Sequence, residues 1–203
     1  MSIEFLITSL IIAASPGTGV VVTLAAGLSR GARAAVVAAL GCTLGIVPHM
    51  LAAITGLAAI LHASAIAFQI IKYAGVAYLL YMAWVTLKEH GTLRIDPDDS
   101  PRSNGQVIAS AILVNVLNPK LSIFFFAFLP QFITAEDTNP LGSMVVLSLV
   151  FMAMTYAVFV VYGVFAASVR SHITSRPSIL TWMRRGFAAA FVMLGAKLAL
   201  TER

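Results

Sequence analysis

The chain has 203 residues, of which 60% are hydrophobic and 10% charged, with a mean hydropathy of +0.94 and a formal net charge of +5. Water-soluble domains carry about a quarter charged residues, so there is too little polar surface here to coat a globule, and lipid must be the solvent for much of the chain. The same shortage excludes a nucleic-acid-binding domain despite the basic balance, because no polar basic unit exists to form one.

A spanning helix needs roughly 20 mainly apolar residues, and six apolar stretches follow in order at 3–28, 34–61, 66–87, 107–129, 141–169 and 186–200. Within the first, residues 5–14 resemble the core of a signal peptide. Yet no Lys or Arg precedes them, Pro16 follows and the apolar run resumes at Val20, so a retained helix is expected. The second stretch carries Gly41 and Gly45, a spacing that lets helices approach closely, the lone cysteine Cys42, and His49 beside Pro48. Tyr73, Tyr78, Tyr81 and Trp84 of the third read as interface or core aromatics. Residues 88–106, with Asp96, Pro97, Asp98, Asp99, Ser100 and Pro101, form the longest polar break and read as a loop between two halves. One transmembrane domain over 1–203 is expected, with half one about 1–90, a cytoplasmic linker about 91–106 and half two about 107–203.

The basic residues orient this arrangement. Arg30 and Arg33 fall in the first break, Lys88, Arg94 and Arg102 in the third, and Arg170, Arg176, Arg184 and Arg185 in the fifth, whereas the second and fourth contain no Lys or Arg. Basic residues collect in cytoplasmic loops, so the odd breaks face the cytoplasm and both termini face outward. Lys72 and Lys197 lie near the outer ends of their stretches and are read as snorkelling to the interface. Lys120 lies midway along the fourth stretch, where a charge costs on the order of 2.5–3.5 kcal/mol.

Each half holds three stretches, an odd number, so the second enters the membrane in the opposite sense from the first. The expected fold is therefore an all-α membrane protein of six helices in two inverted three-helix repeats. Corresponding helices share an interruption: Ser15-Pro16-Gly17 in the first, Asn118-Pro119-Lys120 in the fourth. Proline in a helix interior removes an N–H and costs about 3 kcal/mol. The carbonyls it frees cannot be left in lipid, and paired interruptions of this kind point to a midplane binding site.

These motifs, with Gly27, Arg30 and Gly31, the run Gly75-Val76-Ala77-Tyr78-Leu79, and Asn118-Pro119-Lys120 continuing to Phe124 and Leu129-Pro130-Gln131-Phe132, resemble the LysE/RhtB family of amino-acid exporters along the whole chain. Two departures stand out. Thr18 and Gly19 occupy places where the family usually continues with proline and often asparagine, and the acidic residue some members carry near Ile46 is absent. The resemblance implies secondary-active export of a small amino acid or derivative across a bacterial inner membrane, driven by protons.

The residues then take provisional roles. Ser15, Pro16, Gly17, Asn118, Pro119 and Lys120 are the candidate substrate site: Lys120 and the amides after Pro119 for a carboxylate, the Asn118 side chain and the carbonyls of Ala14, Ser15 and Leu117 for an ammonium. No Asp or Glu lies in the hydrocarbon-core part of any stretch, which favours a neutral zwitterion over a basic solute. His49 and Lys120 are the candidate proton-coupling groups, and Tyr156 a candidate cavity wall. The expected partners are a small zwitterionic solute and the lipid bilayer, with a second copy of the chain left open and no nucleic acid. No cofactor or metal is expected, since His, Cys and acids do not cluster. An enzyme is disfavoured, because Ser15 lacks a nucleophile elbow and no paired acids lie in the apolar stretches. A channel, a uniporter or a non-transport subunit is the alternative.

Overall fold

The first apolar stretch does not run as one helix. In the computed structural model, which describes residues 2–61, 103–134 and 137–169 together with twelve isolated positions between 70 and 84 and between 185 and 196, α1 spans Ile3–Ala14 and α2 spans Thr18–Arg30, bent 55° apart. Ser2 caps α1 by accepting from the Phe5 amide, and Glu4 lies in the first turn, where the helix dipole favours an acid. The helix stops at Ser15 because Pro16 cannot continue the ladder. α2 ends at Gly31, whose φ of 86° is open to glycine at little cost.

α3 (Ala32–Leu44) and α4 (Val47–Leu61) form the second stretch, interrupted only at Gly45 and Ile46 just ahead of Pro48. α5 covers Asn104–Val116 and begins with a capping box in which Ser103 and Gln106 satisfy each other's amides. It breaks at Leu117 and Asn118. α6 (Pro119–Ile123) then passes into a π-helical turn, Phe124–Phe128, and a 3-10 turn, Leu129–Phe132. The second half of this pair is bent 57° from the first. α7 runs without interruption from Pro140 to Ser168. Its 29 residues extend roughly 43 Å, more than a hydrocarbon core of about 30 Å, so it must tilt or protrude.

Among the described residues every regular element is helical. Ala32–Gly56 and Pro140–Ser168 are each long and apolar enough to cross a membrane, and each bent pair would add one more span. Four of the six expected stretches thus have counterparts. The third and sixth stretches apart from the isolated positions, the linker through Arg102, and both Lys72 and Lys197 lie outside the described residues.

The helices meet through small residues, as expected where lipid removes the usual hydrophobic drive and packing must supply cohesion. A Cβ on Gly41 would lie 2.7 Å from the Ala111 Cβ and 2.8 Å from the Ile108 oxygen; one on Gly45 would lie 2.8 Å from the Asn115 Cβ. The Gly41–Gly45 face therefore seats α3 directly on α5. Gly27 and Gly163 make a similar close approach between α2 and α7. A second zone is aromatic: Phe124 stacks on Phe151 at 4.1 Å, and Phe132 meets Phe5 edge-on at 5.3 Å. The Pro130-Gln131-Phe132 run thus closes the fourth stretch against α1, with Gln131 Nε2 donating to the Ala127 carbonyl. Outward-facing Ile3, Leu51, Leu117 and Phe165 are all more than half exposed, an apolar surface that suits acyl chains and not water.

Candidate functional site

In an α-helix the amide of residue i bonds to the carbonyl four residues earlier. Pro16 has no N–H, so the Ile12 carbonyl loses its normal donor. Two side chains replace it: Ser15 Oγ donates at 2.8 Å and Lys120 Nζ, from the opposite half of the chain, at 2.9 Å. The remaining Lys120 donors go to the Ser15 carbonyl at 3.0 Å and to Ser15 Oγ at 3.1 Å. The neighbouring Ala14 carbonyl accepts from the Tyr162 hydroxyl at 2.9 Å. An ammonium has three donors, and all are used. Among the described residues none of the partners is a carboxylate, although Lys120 is only 7% exposed. The negative end of α1 and its open carbonyls supply what compensation there is.

The second break repeats the logic with the halves exchanged. Pro119 deprives the Asn115 carbonyl of its donor, and His49 Nε2 from α4 lies 3.0 Å from that oxygen. A carbonyl only accepts, so Nε2 carries the proton; in the neutral imidazole Nδ1 then accepts from Ser122 Oγ at 3.2 Å. The Asn118 amide also reaches the Asn115 carbonyl, at 3.1 Å. Asn118 Oδ1 caps α6 by accepting from the Lys120 amide at 3.1 Å, and its Nδ2 donates to Asn115 Oδ1 at 3.0 Å. Asn115 Nδ2 in turn donates to the Cys42 carbonyl of α3. One chain of polar contacts thereby links α3, α4, α5 and α6.

Between the breaks lies a narrow cavity bounded by Ile12, Gly19, Asn115, Asn118, Lys120 and Thr155. Its free space is about 10 Å³, room for about one water molecule. Thr155 is 2% exposed, and its hydroxyl has no hydrogen-bond partner among the described residues. It faces this cavity from α7, flanked one turn away on either side by Phe151 and Phe159.

Ser15, Asn118 and Lys120 are thus brought together, and Gly17 lies against the lysine: a Cβ there would be 3.0 Å from Nζ. Pro16 and Pro119 occupy the two breaks. His49 serves the second break from the α4 side and does not line the cavity. Tyr156 is half-buried beside the Val20, Ala39 and Phe159 cluster; the α7 side chains that bound the cavity are Phe151, Thr155 and Phe159. Two sets of candidate groups already have partners within the protein. The Ala14 and Ser15 carbonyls are not open to a solute in this conformation, since Tyr162 and Lys120 hold them. Nor are the amides after Pro119 free, because Asn118 accepts from Lys120 through its side chain and from Leu121 through its carbonyl. Asn115 and Thr155 were not anticipated. Asn115 could have been found as the residue four before Pro119, whose carbonyl the proline leaves without a helical donor.

The chain matches the model of the LysE type translocator family over residues 10–202. It is 29% identical to a homoserine/homoserine lactone efflux protein of Salmonella typhimurium, over 96% of this chain and 94% of the relative. It is 30% identical to an uncharacterized membrane protein of Vibrio cholerae, over 98% and 97%. A leucine efflux protein of Enterobacter is 26% identical over 71% of each chain. No solved structure matches it. A family match spanning nearly the whole chain, on apolar helices of membrane-crossing length, settles the class: this protein is a membrane transporter and not an enzyme, and it belongs to the LysE type translocator family.

Proposed function

We propose that the protein exports a small neutral amino acid or amino-acid derivative across the bacterial cytoplasmic membrane, as a secondary-active carrier whose solute site lies between the two proline breaks. The observation that carries this reading is the Lys120 ammonium, buried with uncharged partners at the point where the halves meet. A buried charge without a counterion is costly, and a solute carboxylate supplies one. Among the described residues none that lines the cavity is acidic, which favours a zwitterion over a cationic solute. Relatives named for homoserine/homoserine lactone efflux and for leucine efflux agree with a solute of this size; homoserine and leucine are zwitterions, whereas the lactone lacks a carboxylate.

The polar break between Ser15 and Thr18, the glycine beside Lys120 and the Asn118 cap give the site its backbone. Proton coupling is assigned to His49 or Lys120, which bond the carbonyls that Pro119 and Pro16 leave without their helical donors. The basic residues of the odd breaks support a topology with those breaks and the 91–106 linker in the cytoplasm, both termini outside and three spans in each half. Cells expressing the protein and fed dipeptides test the reading: one or a few neutral amino acids should leave faster than from control cells. Unchanged efflux of every amino acid, with the protein present in the membrane, contradicts it.

A further inference from the structure

We infer that Ile12 O, Ser15 O and Ser15 Oγ form a binding site for a primary ammonium group, that Lys120 is its resting occupant, and that the solute's own ammonium takes that place during transport. Lys120, released, then pairs with the solute's carboxylate. The exchange step rests on the export reading; the ammonium site itself stands on geometry alone.

Three oxygens converge on one nitrogen at 2.9, 3.0 and 3.1 Å. That is the complement of a group with three N–H donors. They lie where α1 ends in unladdered carbonyls, the negative end of a helix dipole. An α-ammonium presents the same charge and the same three donors as the lysine. The recognition chemistry is therefore already displayed in the molecule, with a tethered copy of the ligand's own group in place.

Room supplies the second argument. The cavity has about 10 Å³ free, far too little for an amino acid, so a solute enters only when something leaves. Lys120 bounds that cavity, and its ammonium sits at the end of a flexible four-carbon stem. Gly17 is the residue alongside it, with no side chain to pin the stem. Charge supplies the third. While Lys120 holds the carbonyls, its partners are all neutral; once displaced, it meets the carboxylate that the solute brings. Both ends of a zwitterion are matched by one exchange, whereas an amine without a carboxylate would strand the lysine as an unpaired cation.

The test refills the site after removing its tether. Lys120→Ala deletes the atoms that n-propylammonium contains, and Lys120→Met keeps a chain of similar length but leaves the nitrogen's place for ammonium itself. Full-length protein in detergent is heated in each salt, at one pH and ionic strength, beside tetramethylammonium, which has no N–H. The melting midpoint of Lys120→Ala should rise by several degrees with n-propylammonium, or folded protein should be recovered only in its presence. Lys120→Met should respond to ammonium. The wild type should respond to neither, and tetramethylammonium should move none of them. Failure of both variants to respond, or an equal response in the wild type, overturns the site. Amino-acid efflux by the wild type separates the two readings: efflux without refilling removes the ammonium site alone, and refilling without efflux removes the export reading alone.

Discussion

Lys120 Nζ lies 2.9 Å from the Ile12 carbonyl oxygen, the acceptor that Pro16 leaves without its helical donor. His49 stands in the same relation to the Asn115 carbonyl and Pro119. At each break a proline opens the ladder, and a side chain from a distant part of the chain joins a local donor at the freed carbonyl. Breaks of this kind would be costly in lipid if left open. Here they tie the halves together, and a movement of one half against the other must exchange these bonds for others. On the proposed export reading, these are the polar bonds that a solute would replace.

Gly17→Ala should impair transport without preventing insertion. The added Cβ would lie 3.0 Å from the lysine nitrogen and 3.2 Å from its Cε, pressing on a side chain held by three bonds. Overpacking of this sort costs about 1–3 kcal/mol. Membrane-fraction levels near wild type with reduced efflux are the expected pair of results; undiminished efflux would remove Gly17 from the site.

Gly45→Ala should destabilise more than Gly105→Ala. The first places a Cβ 2.8 Å from the Asn115 Cβ and 2.9 Å from the Ile112 oxygen, while the second meets nothing closer than 3.8 Å. A loss of about 1–3 kcal/mol is expected at Gly45, read as a lower melting midpoint in detergent, with Gly105→Ala unchanged. Equal midpoints would mean that α3 and α5 do not pack through this face.

His49 separates structure from coupling. His49→Leu leaves the Asn115 carbonyl with the Asn118 amide alone, a loss of one hydrogen bond that costs about 0.5–1.5 kcal/mol. His49→Gln keeps an N–H and should fold normally. If the imidazole carries the coupled proton, efflux by the glutamine variant loses its dependence on external pH; an ordinary pH profile in that variant assigns the role to Lys120.

Thr155→Val removes a hydroxyl that has no partner among the described residues and keeps the shape. Stability should stay level or rise, because nothing native is lost. Solute choice should shift instead, toward leucine-like and away from hydroxylated amino acids, measured as the ratio of their efflux rates. A fall in stability with an unchanged ratio would show that the hydroxyl serves the fold.

The two interruptions were legible from residue types alone, because Pro16 and Pro119 must break a ladder wherever their helices lie. Their mutual proximity was an expectation from repeat symmetry, and the bond between Ser15 and Lys120 bridges the two breaks. What could not be read was that Lys120 and His49 join the local donors at the freed carbonyls, since each lies more than 60 positions from its acceptor in the chain. The interruption at Gly45 and Ile46 also escaped: the glycines read as a packing face, which they are, and Pro48 was read only as the neighbour of His49. Thr155 stayed hidden for another reason. α7 is apolar on every side, so its buried stripe of Met144, Phe151, Thr155, Phe159 and Gly163 emerges only from its neighbours.

Counterflow into vesicles bears most directly on the claim that Lys120 and the paired breaks form the solute site. Vesicles holding the purified wild type and preloaded with an unlabelled exported amino acid should transiently accumulate the labelled form, as a carrier does and a channel does not. Those holding Lys120→Met, inserted to the same level, should accumulate none. Exchange by that variant at the wild-type rate would contradict the account.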